Sequence, residues 1–404
     1  MYNGVKHINE GTAMKTFHKI FYTFMRILIT PFFRFVFHYS WKKYEPKSET
    51  YLVLTNHNTN WDFFLFGLSL HRHMYFVASE HIYRLGFRSK LIKFLADPIP
   101  RKKGASGSET TELILSRLRD GSNVCMMAEG NRSWNGRTGF ISPRTAQLAK
   151  DSGVGLITYR VHGGYFVNPR WGTETRRGPS RGEVVNEYTA EELAEMSVDE
   201  INEAIRRDLY VDAYADQRES PAAYTCKHPA EHLETALFVC PECHSFSSMR
   251  SSKRRFYCAD CGMTLLMSDY GYFEDANLGD TKFRTVPEWD DWQQQYMRSY
   301  LASVGDGEKL FSDWGLRLSK VCGGETAVLM DYGSLTMYSD RLELSCDGDS
   351  FSFAVDKIEK ISIALTSTLL FTYEGGYYEI KSGQPYSALK YLIAARLLAG
   401  KEYI

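Results

Sequence analysis

The chain has 404 residues, of which 44% are hydrophobic and 24% charged, with a formal net charge of -1. This length exceeds one core of ordinary size, so two or three compact units are expected. The near-zero charge excludes the whole-chain basic field of a nucleic-acid binder. Aromatic residues make up 14% of the chain, including 26 Tyr and 24 Phe, which suits β-structure or a lipid interface.

The first element runs from Phe17 to Phe37 (FHKIFYTFMRILITPFFRFVF). A spanning helix needs about 20 mostly apolar residues, and Lys19, Arg26 and Arg34 interrupt this one. Lys15, Lys19, Tyr22, Arg26 and Thr30 share one helical face, while Ile20, Phe24, Ile27 and Leu28 fall largely on another. A basic stripe opposite an apolar one is the pattern of a helix lying in the membrane interface; an amphipathic helix packed on a core is the alternative. Pro31 is expected to break or kink it. No secretory signal is expected, since no small-residue cleavage site follows the apolar stretch.

Tyr51 to Thr55 (YLVLT) reads as a buried strand and Trp61 to Leu70 as a buried helix. Between them stands the polar run Asn56-His57-Asn58-Thr59-Asn60, a place where a strand-to-helix turn presents functional side chains. On one regular helix His57 and Asp62 would lie roughly 140° apart. They can therefore pair only if the chain turns between them, with Thr59 or Asn60 as N-cap and Asp62 in the first helical turn. A neutral imidazole can take the proton of an attacking hydroxyl, and a carboxylate on its other nitrogen fixes the tautomer. About 70 residues on, the strand Val124 to Ala128 ends at Glu129-Gly130-Asn131-Arg132-Ser133. Glycine beside arginine past a strand end suits an anion site.

Together, N-H-x-x-x-x-D followed by E-G-x-R-S resembles the glycerolipid acyltransferase family, the 1-acylglycerol-3-phosphate acyltransferases among them, over about residues 46–215. The resemblance implies His57 as general base and Asp62 as its orienting partner. It implies that Glu129, Gly130 and Arg132 help form the pocket for the acceptor's glycerol phosphate, with Asn131 and Ser133 in the same turn. Pro98-Ile99-Pro100-Arg101 looks like the family's second motif, with Arg101 on the phosphate and Lys102 and Lys103 directly after it. Two departures stand out. Asn131 replaces the usual Thr, and Gly155 to Val161 carries Thr158 and Tyr159 where a Pro is usual. The basic stretch Arg170, Arg176, Arg177 and Arg181 reads as a solvated loop.

Further strand-like runs at Met74 to Ala78 and Leu156 to Val161 alternate with helical patterns, which argues for an α/β layer fold. Ser106-x-x-Glu109 is a capping box for a helix reaching about Asp120. Val184 to Tyr188 adds a strand, Ala190 to Tyr214 reads as helical, and Arg218 to Tyr224 as the linker out. Four of the eight cysteines then form Cys240-Pro-Glu-Cys243 and Cys258-Ala-Asp-Cys261, with fourteen residues between the pairs. This spacing fits four thiolates on a structural zinc in a small ribbon; Cys226 and His228 stay outside the ligand set. After a helical connector around Trp289 and Trp292 come seven strand-like runs, at Thr326–Met330, Ser334–Tyr338, Arg341–Leu344, Ser350–Val355, Ile358–Ile363, Leu369–Tyr373 and Tyr377–Ile380. An amphipathic helix from about Tyr386 to Leu398 closes the chain. Seven strands and one helix resemble the pleckstrin-homology-like architecture.

The expected fold is thus an α/β acyltransferase domain with N-terminal interfacial helices, then a small zinc ribbon and a mostly β C-terminal domain. The expected boundaries are 1–45 for the membrane-interfacial helices, 46–218 for the acyltransferase domain and 219–275 for the linker and ribbon. A helical connector occupies 276–324 and the pleckstrin-homology-like domain 325–404. The implied activity moves a fatty-acyl group from acyl-CoA or acyl-carrier protein to the free hydroxyl of 1-acylglycerol-3-phosphate. The protein would sit peripherally on the cytoplasmic face of the cell membrane, with a lipid acceptor and an acyl-carrier protein as partners and no nucleic acid. The alternatives are another lysophospholipid or glycerol-3-phosphate as acceptor, an inactive scaffold, or nucleic-acid binding by the ribbon. The last would use Arg250, Lys253, Arg254 and Arg255 beside Phe256 and Tyr257.

Overall fold

The computed structural model describes residues 2–84, 86–101, 107–276, 279–322 and 325–401. The N-terminal elements run α1 (Tyr2–Val36), β1 (Tyr39–Trp41), β2 (Tyr51–Thr55), α2 (Asp62–Ser69), β3 (Met74–Ser79), α3 (Phe87–Ala96), β4 (Ile99–Arg101) and α4 (Ser108–Arg119). They continue through β5 (Asn123–Met127), α5 (Pro143–Asp151), β6 (Gly155–His162), α6 (Gly164–Val167), β7 (Ser180–Tyr188), α7 (Ala190–Glu195), α8 (Val198–Leu209) and α9 (Ala213–Glu219). Seven strands form one sheet in the order β1-β7-β6-β2-β5-β3-β4, parallel except between β6 and β7.

Strand β2 is apolar almost throughout because both its faces are covered. Tyr51 and Val53 join the core beneath α1 and α2, while Leu52 and Leu54 join the core beneath α4, α5 and α8, as the period of two requires. β1 is an edge strand of this sheet, although the sequence reading assigns its residues to the interfacial segment. The expected capping box of α4 is replaced by an N-cap at Gly107 without a side-chain bond; Lys102, Lys103 and Ser106 lie outside the described residues. Residues 190–214 form separate helices rather than one. Thr189 and Ser197 each restart the chain with a capping box.

Helix α1 continues through Pro31 to Val36 instead of ending there. Lys19 of its polar stripe is exposed, but Tyr22, Arg26 and Thr30 are half-buried. Tyr22 Oη donates to the carbonyls of Gly67 and Leu70 at 3.3 and 3.1 Å, and a side chain at Gly67 would collide with that hydroxyl. His18 is buried between Tyr75 Oη and the carbonyl of Phe94. The apolar stripe faces outward, with Ile20 and Ile27 both 65% exposed.

The second sheet is the small antiparallel ribbon β8 (Met249–Ser252), β9 (Arg255–Cys258), β10 (Thr264–Met267) and β11 (Phe273–Asp275), in the order β11-β10-β9-β8. Helix α10 (Val286–Leu301) follows, begun by a Thr285–Glu288 capping box. The ribbon is not a bead on a linker. Phe256, Leu265, Phe273 and Trp289 belong to the same buried cluster as Tyr165, Phe166 and Tyr214 of the N-terminal α/β body. The expected linker residue Tyr224 is itself buried, stacked on Phe166 at 5.0 Å.

The third sheet comprises β12 (Lys309–Cys322), β13 (Glu325–Tyr338), β14 (Arg341–Cys346), β15 (Asp349–Ala354), β16 (Ile358–Ala364), β17 (Thr368–Tyr373) and β18 (Gly376–Ser382). Its order is β15-β14-β13-β12-β18-β17-β16, and helix α11 (Ala388–Leu398) packs on it. Seven strands and one helix are present, but not as read from sequence. β12 was assigned to the connector, and the runs at Thr326–Met330 and Ser334–Tyr338 are one strand. α11 is not amphipathic: residues 388–395 are all buried.

Candidate active site

The parallel strands β2, β5 and β6 end on the same side of the sheet, where a crevice for a ligand forms in open α/β sheets. At the end of β2, Asn56 fixes the turn by bonding Val161 of β6 through both ends of its amide: Nδ2 donates to the carbonyl at 3.0 Å and Oδ1 accepts from the amide at 2.9 Å. The chain then doubles back so that His57 Nδ1 meets Asp62 Oδ2 at 2.9 Å. Asp62 is fully buried and also accepts from Asn58 N, Thr59 N and Thr59 Oγ1 at 2.8, 3.0 and 2.6 Å. A group ringed by donors acts as an acceptor, so Nδ1 carries the proton and Nε2 is the basic nitrogen of that tautomer. Asp62 lies in the first turn of α2, as expected. The N-cap, however, is Trp61 rather than Thr59 or Asn60, because the Thr59 hydroxyl is engaged by Trp61 N and Asp62 Oδ1.

At the end of β5 the second turn closes against the first. Gly130 adopts a left-handed φ of 68°, which glycine tolerates without strain. Glu129 accepts the backbone N–H of His57 on Oε1 at 2.6 Å and that of Gly139 on Oε2 at 2.5 Å. Ser133 N donates to the carbonyl of His57 at 3.0 Å, and Ser133 Oγ donates to the carbonyl of Arg137 at 2.7 Å. The geometry makes Glu129 and Ser133 holders of the two turns. Arg132 Nη1 donates to Asn168 Oδ1 at 3.0 Å, and Nη2 to the carbonyl of Arg170 at 3.2 Å. Asn168 Oδ1 also accepts from Asn60 N at 3.3 Å. One side chain thus joins the His57 turn to the Arg132 turn. Asn131 faces a cleft beside this turn. Arg101, by contrast, is exposed at the end of the edge strand β4, with β3 between it and the Glu129 turn.

Burial pushes the Glu129 carboxyl up to about 8. A carboxyl raised on folding favours the folded state below its unfolded value, and that contribution is lost as pH rises toward the folded one. Wild-type stability should therefore fall by up to about 1.4 kcal/mol per pH unit from this group between its ordinary value of 4.5 and about 8. Glu129→Gln should flatten that slope. Denaturant midpoints across this pH range check it, and an unchanged slope in the variant would discount the shift.

The expected solvated loop at Arg170–Arg181 is half interior. Arg177 and Arg181 are exposed, but Arg170 and Arg176 are each 3% exposed. Burial is tolerated because carbonyls and aromatic faces receive both guanidiniums. Arg170 lies over Trp134 at 4.1 Å and donates to the carbonyls of Arg132, Ile363 and Leu365 at 3.1–3.2 Å. Arg176 lies over Trp171 and donates to the carbonyl of Pro229. Sequence reasoning missed Asn56, Asn168 and the placement of Arg170; the Asn168-Pro169-Arg170-Trp171 run was the available signal. Thr158 and Tyr159 are buried in β6. The first bonds Asp208, and the second bonds Tyr39 and Ser69.

The four cysteines converge. All four Sγ atoms lie within 4.8 Å of one another, with Cys240–Cys261 and Cys243–Cys258 each at 3.6 Å. Metal–sulfur bonds of about 2.3 Å in a tetrahedron give edges of about 3.8 Å, whereas a disulfide is about 2.05 Å. Cys240, Cys243, Cys258 and Cys261 therefore fit a structural zinc. His228 Nδ1 instead meets Glu174 Oε1 at 2.8 Å. Of the two aromatics beside the ribbon's basic run, Tyr257 is half-exposed with Arg255 over its ring. Phe256 is fully buried and Arg254 is paired with Asp269.

A family model described as Acyltransferase matches residues 37–162. Among solved structures, the chain is similar to the 1-acyl-sn-glycerophosphate (LPA) acyltransferase PlsC from Thermotoga maritima. The TM-score is 0.40 and the identity 15%, over 54% of this chain and 89% of that one. No curated protein matches. The matched segment contains both the His57–Asp62 turn and the Glu129–Ser133 turn, and it is an acyltransferase domain.

Proposed function

We propose that this protein transfers a fatty-acyl group from a thioester carrier, acyl-CoA or acyl-carrier protein, to the free hydroxyl of 1-acylglycerol-3-phosphate at the cytoplasmic surface of a membrane. The observation that carries this reading is the His57–Asp62 pair held in the same crevice wall as the Arg132 turn. The lipid hydroxyl attacks the thioester carbonyl while His57 Nε2 takes its proton. The tetrahedral intermediate expels the thiolate, which leaves as the thiol on receiving that proton, and the carbon–sulfur bond is replaced by a carbon–oxygen bond. Buried Asp62 stabilises the transient imidazolium. No acyl-enzyme is required, since the donor is already activated. Gly130, Asn131 and Arg132 line the acceptor's phosphate.

The outward face of α1 supports membrane docking. Ile20, Phe24, Ile27 and Leu28 are 59–65% exposed, and Phe87 and Phe94 of the adjoining α3 are 79% and 53% exposed. A contiguous apolar patch marks an interaction surface. Among the described residues no helix is long and apolar enough to cross a membrane; the proposed attachment is peripheral.

The test is thiol release by purified protein with lysophosphatidate, glycerol-3-phosphate or lysophosphatidylcholine, each offered with both donors in the presence of vesicles. Lysophosphatidate should react at least about tenfold faster than the others, a discrimination of about 1.4 kcal/mol. Equal or faster reaction of another acceptor would move the acceptor assignment to it.

A further inference from the structure

Beside the Glu129–Ile141 turn lies a cleft of about 530 Å³ that the catalytic sheet does not build alone. Its walls are that turn, the end of α8, part of α10, strand β16 and helix α11, so two of the three structural units contribute to it. The volume is that of a small-molecule site. Phe140 and Ile141 from the turn and Leu389 and Leu392 from α11 give it an apolar part, and arginines line it as well.

Arg206 ends α8 and Arg396 ends α11. A cation is favoured in the last turn of any helix. That accounts for each arginine separately, but not for the convergence of two distant helices on one cleft. Arg137, also on the wall, is already neutralised by Asp291 at 2.7 Å and Asp212 at 3.5 Å. Arg206 and Arg396, in contrast, form no salt bridge among the described residues.

Resting on the proposed acyl transfer, the geometry points to this cleft as the seat of the phosphate-bearing portion of a coenzyme A thioester, with Arg206 and Arg396 on its phosphates and the apolar side chains against its adenine. Guanidiniums pair with phosphate in bidentate fashion. The acceptor's phosphate has its own proposed ligands on the wall of the same cleft, Asn131 and Arg132; for Arg206 and Arg396 the layers of the fold favour the carrier. α8 belongs to the core on one face of the sheet, together with α4 and α5. α1, with its outward apolar stripe, packs on α2 and β1 at the other. Arg206 on α8 thus lies on the sheet face opposite α1, and lipid and carrier would meet at the turns that hold His57.

The experiment compares wild-type full-length protein with R206Q/R396Q and with R396E alone, after melting and zinc content show that the variants are folded. Titration with coenzyme A should give a Kd raised at least about tenfold in both variants, as expected for losing a charge-assisted bond. With acyl-CoA the KM should rise similarly while kcat and the acceptor KM stay unchanged. S-acyl-pantetheine, which lacks the phosphates, should be used equally by all three proteins. Unchanged coenzyme A affinity would overturn the site, as would a KM effect confined to the lipid acceptor or to acyl-carrier protein. Coenzyme A binding that depends on these arginines without any acyl transfer would leave the site standing and defeat the proposed reaction instead.

Discussion

Replacing His57 by alanine should reduce thiol release by about 10²–10⁴-fold, the usual contribution of a positioned general base. The variant is a clean probe, because what holds the turn at this position is backbone. Glu129 receives the His57 N–H, and the His57 carbonyl receives Ser133 N; neither bond involves the imidazole. Melting temperature and zinc content should therefore stay close to wild type while the chemistry is lost. Asp62→Asn should lose comparable activity but also destabilise the fold. Its carboxylate serves three donors besides His57, and an amide cannot accept them all, so about 1–3 kcal/mol of unmet hydrogen bonding is expected. Wild-type turnover in His57→Ala, measured with saturating donor and acceptor, would remove the imidazole from the mechanism.

Loss of the metal should be felt through the whole catalytic body. Structural zinc supplies about 10–16 kcal/mol of apparent binding energy in small peptides, comparable to the total stability of many domains. Here the ribbon's Phe256, Phe273 and Trp289 share one buried cluster with Tyr165 and Tyr214, and Trp289 Nε1 donates to the carbonyl of Val239, directly before Cys240. Cys243→Ser is the informative change, since Cys243 is exposed and its replacement opens no core cavity. The expected result is loss of bound zinc and one cooperative transition, at lower denaturant, for both tryptophan fluorescence and activity. Activity per remaining folded molecule should be unchanged. A chelated protein with an unaltered midpoint would show that the ribbon is held by packing alone.

How much of this was legible follows from where the chain obeys local rules. β2, α2 and β5 announce themselves as apolar runs with a polar turn between them, and that turn is where the paired side chains lie. The C-terminal sheet was harder to read. Within β12, Asp313 interrupts the alternation because its partner, buried Lys390, lies on α11. Gly315 takes a positive φ beside a register shift. In β13, Tyr332 at φ 56° divides one strand into two apparent ones. Arg170 and Arg176 look like solvent-exposed charge, since their partners are carbonyls and rings distant in sequence. The run Asn168-Pro169-Arg170-Trp171 marks a turn but not its partners, and only the folded chain brings Asn168 between Asn60 and Arg132.

Helix α1 passes into β1 with only Phe37 and His38 between them, and β1 is zipped in parallel to β7. Such a splint allows no swivel between the hydrophobic runner and the body it carries. A bilayer touching that runner would fix the tilt of the entire molecule, and with it the height at which the imidazole meets an incoming lipid. Membrane curvature would then tune how often a lipid hydroxyl reaches it.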